Sequence, residues 1–553
     1  MKEPRRFSGI RNTASVDGAV PGLARNVWDQ HKLRAKYPQL KENISADVCV
    51  VGGGIAGLSI AYNLAKAGKS VVVLESRTRG SGQTGRTTAH LMLWNDDYYH
   101  LQEQNFNLDT AKVLAESHRQ AIDWVAKTVE EEGIDCHFHY VDGYLFPHTA
   151  EPSTAETLDK ELGAAVRAGL TDVRKVNLEN DPAAGLVGEA LLFPRCGDFH
   201  PLMYLEGLAD AITKNGGRIF ENTRVRQTEG KEVRTRDGFV VTAPNIVLAT
   251  NPPIHHNMTI HARLNPQRSY VVGLQMPEGC FKPNSQFWST ATPYHYIRTE
   301  SHPEHGEVMI VGGADHSSGI KPQEYVDRFD MLESWARQRW PKAGKRVYEW
   351  SGMVYKPLDQ VGLYGQDPGN DLQSDGTYYI AAGHSGQGMT GGTIAGIIIS
   401  SQILGNQHPW SDVYSPSRLP AASTTTAQQL FEVSRTTIQA FTEVVLPGRS
   451  DKPGDLAPGE GAVQQAGKDK VAVYKDEAGV EHTFAAACPH LGCLVQWNPL
   501  DGTFDCPCHG SIFTKEGKCI NGPAVEDLKP VKIGTFGLKE DKEAAIAQGG
   551  KTF

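Results

Sequence analysis

The stretch DVCVVGGGIAG, residues 47–57, decides the fold of the N-terminal half of the chain. Residues 47–51 predict a β-strand, and residues 56–67 predict a helix that begins directly after the glycines. Residues 70–75 are again mostly apolar and predict a second strand. Strand, helix and strand form a βαβ unit, which places both strands in one parallel sheet.

The glycines between strand and helix match the pattern G-x-G-x-x-G in the context that dinucleotide binding requires. Gly52 permits a tight turn, Gly54 lets the backbone approach a pyrophosphate, and Gly57 allows close packing of helix and strand. The free N–H groups at the helix N-terminus attract a phosphate anion. Glu75 ends the second strand, where an acidic side chain binds ribose hydroxyls. A glycine-rich turn without a ligand does not explain strand, helix and acid together.

A second helix N-terminus in the C-terminal half favours FAD over NAD as the ligand. Residues 378–382 predict a strand, and the glycine-rich turn after it leads into a helix over residues 393–404. Residues 245–249 predict another strand, and Thr250 follows it. FAD is long, and folds that bind it often enclose the flavin end with a distant segment of the chain.

These segments together resemble the D-amino-acid oxidase type of FAD oxidoreductase over residues 46–418. The resemblance implies a FAD-binding sheet assembled from separated segments, with inserts that build a substrate domain. It also implies that the loop of residues 81–90 lies beside the flavin. The residues expected to bind FAD are Gly52, Gly54, Ile55, Ala56, Gly57, Glu75, Ser76, Arg86, Thr87, Thr88, His90, Val225, Ala249, Thr250, Gly383, Gly388, Met389 and Thr390.

His90 stands at the end of the loop that the resemblance places beside the flavin. Some members of the family attach FAD covalently through a histidine in this loop. Two interpretations therefore stay open for His90, a covalent link to FAD and an uncoupled loop histidine.

Five of the nine cysteines lie in the C-terminal part of the chain, close to histidines. The motifs are CPHLGC at residues 488–493 and CPCHGS at residues 506–511. Two thiolates and two imidazoles are the ligand set of a Rieske 2Fe–2S centre, in which both histidines bind one iron. Zinc also accepts two cysteines and two histidines, but a zinc site does not explain the complete motifs. The expected cluster ligands are Cys488, His490, Cys506 and His509.

The two motifs resemble the Rieske proteins of cytochrome bc complexes. This resemblance implies a disulfide between Cys493 and Cys508 and a hydrogen bond from the Ser511 hydroxyl to a cluster sulfur. Phe513 departs from the pattern, because the bc-type tyrosine places a hydroxyl on a ligand sulfur; we expect a lower potential here. Cys519 has no partner by spacing and is expected to be a buried thiol.

The chain as a whole resembles oxidase-type flavoproteins with a C-terminal Rieske domain. The resemblance implies oxidation of a C–N bond in a small amine or amino-acid-like substrate, that is, a CH–NH or CH–NH2 donor. FAD accepts two electrons and the cluster accepts one at a time. We therefore expect electrons to pass singly from flavin to cluster and on to an external acceptor, which is a protein, a quinone or oxygen.

A polar, aromatic segment of the insert supplies the expected catalytic residues Tyr294, Tyr296 and Arg298. In a strand these three side chains share one face, and Arg298 is then available for a substrate carboxylate. An ordinary sheet surface with an exposed arginine explains the pattern equally well.

One departure from the amino-acid oxidases bears on the substrate. Those enzymes often carry G-x-R-P in the segment that corresponds to residues 352–357. In this sequence the arginine is missing, and Tyr355 and Lys356 stand nearby. The departure argues against an amino-acid substrate held by an arginine at this place.

Other functions stay open beside amine oxidation. In a redox relay or a reductase, electrons enter from a partner protein or from NAD(P)H. A flavin monooxygenase usually needs a second dinucleotide site, and the sequence has no second G-x-G-x-x-G. A Rieske oxygenase needs an iron held by two histidines and a carboxylate. His256 and His261 have suitable spacing, but prolines replace the acid before them, so both are expected to be surface or turn residues.

The composition limits the partners and the compartment. The formal net charge of −9 argues against a nucleic-acid binder with a basic face. No apolar run reaches the length of roughly 18 residues that a membrane helix needs. The N-terminal residues contain no apolar segment typical of a signal peptide, which favours the cytosol.

The expected fold class is α/β and α+β. A Rossmann-like FAD-binding domain is interleaved with a substrate domain of mixed sheet, and a small all-β Rieske domain follows. The expected units are an N-terminal lead-in (1–45), an oxidoreductase (46–420) with FAD segments 46–90, 196–255 and 345–418 and substrate segments 91–195 and 256–344, a linker helix (421–450), the Rieske domain (451–540) and a tail (541–553).

Overall fold

A computed structural model of the chain gives the fold. It describes residues 25–31, 35–148, 152–185, 187–254, 258–292, 294–320, 326–369, 375–445, 456–466 and 469–531. Within these ranges, no helix combines the length and the apolar character needed to cross a membrane. Most of the expected lead-in and all of the expected tail lie outside the described residues.

A six-stranded sheet grows from the predicted βαβ unit. Val48–Val51 and Val71–Leu74 pair in parallel, and every residue of both strands is buried. Asn245–Leu248 joins the other side of Val48–Val51, also in parallel. The order of strands across the sheet is Leu363–Gln366, Thr377–Ala382, Asn245–Leu248, Val48–Val51, Val71–Leu74 and Arg218–Phe220.

Helix Ile55–Lys66 packs closely against helix Gly388–Ile403. A Cβ atom on Gly396 would lie 2.6 Å from the Cβ of Ser59, so this approach of the two helices requires glycine. The other described helices before residue 420 are Tyr99–Asn105, Leu108–Glu132, Pro152–Arg167, Pro201–Lys214, Met258–His261, Arg328–Arg339 and Ser411–Tyr414, with 3₁₀ turns at Val27–His31, Gln83–Arg86 and Pro182–Ala184.

A nine-stranded mixed sheet forms the second layer of the oxidoreductase part. Its long strand Leu264–Met276 lies antiparallel between Gly306–Ser317 and Arg346–Pro357. The order is Arg346–Pro357, Leu264–Met276, Gly306–Ser317, His295–His302, Ser285–Ser289, His139–Phe146, Glu189–Asp198 and His90–Leu91, with Arg174–Asn177 also paired to Glu189–Asp198. A smaller sheet has the order Ile44–Ser45, Val240–Thr242, Glu232–Thr235 and Val225–Glu229.

Helix Thr424–Val445 leads into a C-terminal part of two small antiparallel sheets. Phe484, Trp497 and Phe504 form its apolar core together with the cysteines of the two motifs. The strands are Gly461–Ala466, Asp469–Lys475 and Glu481–Ala485 in the first sheet, and Gln496–Asn498, Thr503–Asp505, Ile512–Thr514 and Cys519–Asn521 in the second.

A buried ion cluster joins the C-terminal part to the oxidoreductase part. Arg268 of strand Leu264–Met276 approaches Asp501 at 3.1 Å and Asp505 at 3.2 Å. All three side chains are buried. A buried ion pair of this kind needs both partners in place, so the two parts are held in one relative position.

The structure confirms the predicted fold class and corrects one helix boundary. The predicted strand at 47–51 is Val48–Val51, and the predicted helix at 56–67 is Ile55–Lys66. The helix predicted at 393–404 already begins at Gly388. Its first glycines suggested a turn, but they lie inside the helix, and a Cβ atom on one of them, Gly392, would lie 2.7 Å from the Ile55 side chain of the neighbouring helix.

Candidate functional site

The glycine loop between Val48–Val51 and Ile55–Lys66 leaves no room for side chains. Gly52 has φ +115°, and a Cβ atom there would lie 2.6 Å from the carbonyl oxygen of Ala249. A Cβ atom on Gly57 would lie 2.0 Å from the carbonyl oxygen of Gly52. The loop backbone therefore stays open to a phosphate at the helix N-terminus, which fits FAD.

Glu75 is fixed against this loop at the end of the second strand. Its Oε2 accepts a hydrogen bond from the Gly53 N–H at 2.8 Å, and its Oε1 accepts one from the Arg77 N–H at 2.9 Å. The Ser76 hydroxyl also donates to Oε1, at 3.1 Å. These bonds hold the carboxylate where the ribose of a dinucleotide would lie.

One large cavity begins at the glycine loop and collects most of the residues expected to bind FAD. The expected residues that line it are Gly52, Gly54, Ile55, Ala56, Glu75, Ser76, Arg86, Thr87, Thr88, His90, Val225, Ala249, Thr250, Gly388 and Met389, together with Tyr294 and Tyr296.

Three expected FAD residues do not line the cavity but support its walls. Gly57 leaves room for the carbonyl oxygen of Gly52, which would lie 2.0 Å from a Cβ atom on Gly57. Gly383 donates its N–H to the Asn251 side chain at 3.2 Å. The Thr390 hydroxyl accepts from the Met92 N–H at 3.1 Å. Direct contacts of Gly383 and Thr390 with FAD stay a prediction.

His90 lines the cavity as a neutral imidazole. Its Nδ1 lies 3.0 Å from the Thr88 hydroxyl, and its Nε2 is buried without a hydrogen-bond partner among the described residues. Burial, with the nearby charge of Arg298, lowers the pKa of His90 to about 3. The covalent attachment of FAD to His90 stays a prediction.

The far end of the cavity is aromatic and acidic. The Tyr294 hydroxyl donates to Asp96 Oδ2 at 2.7 Å, and the Tyr296 and Ser269 hydroxyls lie 2.8 Å apart. Asp315 lines the cavity at this end. Burial and the charge of Asp97 raise the pKa of Asp96 to about 7.

Lys356 lies among these carboxylates. Burial alone would lower the pKa of Lys356, but the charges of Asp315, Asp97 and Asp96 outweigh burial and raise it. Lys356 therefore keeps its charge. It stands where the sequence comparison with amino-acid oxidases found the arginine missing.

Arg298 lies away from the cavity, in contrast to the expectation that it borders the flavin. Its guanidinium donates to the carbonyl oxygens of Thr88 and Ala89, at 3.3 and 3.2 Å, and it pairs with Glu300. Strand periodicity put Arg298 on the face of Tyr296, but it could not reveal that the loop before His90 covers this end of the face. These contacts leave Arg298 unsuited to a substrate carboxylate.

The expected cluster ligands come together in the C-terminal part. The thiols of Cys488 and Cys506 are buried within hydrogen-bonding reach of each other. The rings of His490 and His509 have centroids 5.0 Å apart. His509 Nδ1 is buried and has no hydrogen-bond partner in the described part of the chain, as expected for an atom that binds a metal. These four residues fit a 2Fe–2S cluster with two thiolates and two imidazoles.

Cys493 and Cys508 form the disulfide that the resemblance implied, with an S–S distance of 2.05 Å. Cys519 is a buried thiol, as expected, and its Sγ lies 3.0 Å from the carbonyl oxygen of Ala524. The Ser511 hydroxyl is buried and is a hydrogen-bond partner of the Cys488 thiol.

His261 is not the surface or turn residue that the sequence suggested. It ends helix Met258–His261 with 1% of its surface exposed. Its ring centroid lies 4.8 Å from that of His490 and 5.3 Å from that of His509. The prediction failed because nothing in the local sequence indicates that the C-terminal part covers this helix. His256 lies outside the described residues.

The cavity and the cluster motifs share a wall. The Tyr355 hydroxyl donates to the carbonyl oxygen of Gly510, next to the ligand His509, at 3.1 Å. Asn521 donates to the Tyr355 oxygen at 2.8 Å and accepts from the Gln83 side chain at 3.0 Å. The C-terminal residues that line the cavity are Ile520, Asn521, Gly522, Ala524 and Val525.

Sequence reasoning missed this wall and the acidic residues at the far end. Asp96 and Asp315 belong to no motif, and only the folded chain brings them together. Gly522 and Ala524 line the flavin cavity, and no sequence signal indicates this contact.

A Rossmann-like sheet with a dinucleotide cavity, joined to a site for two thiolates and two imidazoles, defines a flavoprotein oxidoreductase with an iron–sulfur centre. Residues 47–402 match the DAO family of FAD dependent oxidoreductases, and residues 449–532 match the Rieske [2Fe-2S] domain. The chain therefore belongs to the FAD-dependent oxidoreductases of the DAO family and carries a C-terminal Rieske domain. Its cofactors are FAD and one 2Fe–2S cluster.

Known proteins share either the whole architecture or its oxidoreductase part. The chain is 28% identical over 522 residues to the putative Rieske 2Fe-2S iron-sulfur protein YhfW of Bacillus subtilis, covering 92% of this chain and 97% of the relative. It is 27% identical over 397 residues to the gamma-glutamylputrescine oxidoreductase of Escherichia coli, covering 67% and 87%. The crystal structure of glycine oxidase from Geobacillus kaustophilus has a TM-score of 0.55 at 19% identity and covers 68% of this chain and 99% of that chain.

Proposed function

We propose that the protein oxidises a C–N bond of a small amine or amino-acid-like substrate. In this proposal, electrons pass singly from FAD to the Rieske cluster and then to an external acceptor, which is a protein, a quinone or oxygen. The compartment stays a prediction from the sequence, the cytosol.

The observation that carries the proposal is the shared wall between cavity and cluster. Asn521 lines the cavity and donates to Tyr355, whose hydroxyl donates to Gly510 beside the ligand His509. When bound, FAD takes up a hydride and the cluster takes up single electrons. A short, buried contact between their sites supports electron transfer within one molecule.

The substrate end of the cavity supports an enzyme rather than a redox relay. Trp288, Tyr294 and Tyr296 line it, and Tyr294 and Tyr296 are tied by hydrogen bonds to Asp96 and Ser269. A relay would expose its flavin edge to a partner protein. An aromatic cavity end instead orients a small molecule. The relatives named for amine and amino-acid substrates agree with a C–N donor.

The test is an anaerobic titration of the holoenzyme with amines and amino acids, in which flavin absorbance and the paramagnetic signal of the reduced cluster are followed together. We expect an amine to bleach the flavin and the cluster signal to appear with it. If only a reduced pyridine nucleotide or a reduced protein donor bleaches the flavin, the proposal is wrong and electrons enter from a partner.

A further inference from the structure

Three carboxylates and one ammonium group lie close together at one end of the cavity, and we call this cluster the acidic chamber: Asp96, Asp97, Asp315 and Lys356. Tyr294 and Ser385 donate hydrogen bonds to Asp96 and Asp97, at 2.7 and 2.6 Å. Asp315 and Lys356 line the cavity directly. The charges of all three carboxylates raise the pKa of Lys356.

Two carboxylate oxygens of the acidic chamber are left without a protein donor. Asp96 has only 9% of its surface exposed, and its Oδ1 has no hydrogen-bond partner among the described residues. Asp315 Oδ1 is also buried and has no hydrogen-bond partner among the described residues. Asp96 lies behind the cavity lining: a Cβ atom on Gly386, which lines the cavity, would lie 3.0 Å from Asp96 Oδ2. Buried acceptors of this kind need a donor, and a ligand would supply it.

The cationic side chains around the cavity offer little to a substrate carboxylate. Lys356 is outnumbered by its three carboxylates. Each arginine that lines the cavity donates at least one hydrogen bond to another protein group: Arg77 to Ser81, Arg86 to Ser351 and Arg224 to Cys519. Arg77 Nη1 is buried without a partner among the described residues. The chamber therefore has more carboxyl groups than cationic groups, and two of its acceptor oxygens have no partner in the described part of the chain.

Resting on the proposed function, we propose that the acidic chamber binds a second, protonated amino group of the substrate, so that the substrate is a diamine-like cation and not an amino acid. The reacting nitrogen must be unprotonated, because its lone pair forms the C=N bond as a hydride leaves the adjacent carbon. The cation that the chamber binds is thus a different group from the reacting amine.

This oxidation needs only FAD as the oxidant and water. The amine carbon loses a hydride, which carries two electrons, to the oxidant FAD of the proposed function. The product is an iminium ion, which water hydrolyses to an aldehyde and an ammonium ion. Burial raises the pKa values of Asp96 and Asp97 to about 7 and about 6, and a cation bound beside them would lower these values and favour the charged carboxylates.

The test compares three four-carbon probes on the holoenzyme by isothermal titration calorimetry: 1,4-diaminobutane, butylamine and 4-aminobutanoate. They share one amino group and differ only in the far end, which is cationic, apolar or anionic. We expect the diamine to bind at least about tenfold more tightly than the other two. Asp315→Asn should remove most of this preference. Asp109→Asn, which removes one charge from a side chain that is 92% exposed, should leave it unchanged.

The outcomes separate this inference from the proposed function. Equal affinity for the three probes, tighter binding of 4-aminobutanoate, no binding of the diamine, or an Asp315→Asn variant with unchanged preference would each overturn the inference. A diamine that binds with the expected preference but never bleaches the flavin would leave the inference standing and contradict the proposed function. If an amine without a second cationic group bleaches the flavin and binds as tightly as the diamine, the proposed function stands and the inference is wrong.

Discussion

At the scale of single residues, the glycine loop makes the most direct prediction. A methyl group on Gly57 would collide with the carbonyl oxygen of Gly52 at 2.0 Å and push the loop out of the phosphate position. We expect Gly57→Ala to lose most of its bound FAD, measured as flavin absorbance per protein. Gly163→Ala is the matched control, because only the flexible Arg167 side chain lies near that site. Full FAD content in Gly57→Ala would contradict the assigned role of the loop.

The acidic chamber makes ligand binding depend on pH. The pKa of Asp96 is raised to about 7 by burial and Asp97, and that of Asp97 to about 6 by burial. The groups that face them are Lys356, Asp315, Asp359, Tyr294 and Ser385. As the pH falls from 8 to 5 both carboxylates take up protons, so the affinity for 1,4-diaminobutane should fall.

Calorimetry of butylamine over the same pH range is the control, because both probes carry the same reacting amino group, which must lose its proton. A dissociation constant of the diamine that rises no more than that of butylamine between pH 8 and pH 5 would show that these carboxylates do not hold the cation.

The Ser511 hydroxyl should raise the midpoint potential of the cluster. Its buried hydroxyl is a hydrogen-bond partner of the Cys488 thiol, and hydrogen bonds to ligand sulfurs favour the reduced, more negative cluster. We expect Ser511→Ala to lower the midpoint potential by roughly 40 mV, equivalent to about 1 kcal/mol for one electron. A redox titration followed by the cluster's paramagnetic signal measures it. An unchanged or raised potential would contradict the assignment.

How far single residues could be predicted depends on whether they belong to a motif. Cys488, His490, Cys506 and His509 were named from spacing alone, because a metal fixes both residue type and distance along the chain. His261 could not be found in this way. Its contact with two of these histidines exists only because the C-terminal part folds over a distant helix.

At the scale of elements, local pattern and glycine content predicted the strands and helices around the FAD loop. Mostly apolar runs mark only parts of the long strands of the substrate sheet: residues 270–274 lie within Leu264–Met276, and residues 307–311 lie within Gly306–Ser317. Their remaining residues contain prolines, glycines and charged side chains, which local patterns assign to loops. In the folded chain these residues pair across the sheet and contact the Rieske domain, so tertiary contacts override the local preference.

Arg268 shows what such a strand contributes. It leaves strand Leu264–Met276 to reach Asp501 and Asp505, and its loss would leave two buried carboxylates without a cation. We expect Arg268→Leu to destabilise the protein by about 3–5 kcal/mol in chemical denaturation. Arg236→Leu is the matched control.

Arg236 also joins the two parts of the chain, at 3.2 Å from Asp527, but its side chain is 44% exposed. An exposed ion pair contributes at most about 1 kcal/mol, so Arg236→Leu should unfold almost like the unmodified protein. Equal effects of the two substitutions would mean that the buried cluster does not hold the domains together.

At the scale of the whole molecule, the Rieske domain is a fixed part of the flavin site. A Cβ atom on Gly319 of the oxidoreductase part would lie 2.7 Å from the backbone nitrogen of Pro507, which leaves no gap between the two parts. His261 lies against both histidine ligands, and Asn521 closes the cavity. The sequence predicted both cofactors but not this docking, because interface residues from distant segments carry no common pattern.

The central claim is that electrons move from flavin to cluster inside one molecule. Anaerobic rapid mixing of the holoenzyme with 1,4-diaminobutane, followed by flavin absorbance and by the paramagnetic signal of freeze-quenched samples, tests it most directly. We expect the cluster signal to follow flavin bleaching with a rate that does not change when the protein is diluted tenfold. A cluster that stays oxidised while the flavin is bleached, or a rate proportional to protein concentration, would contradict it.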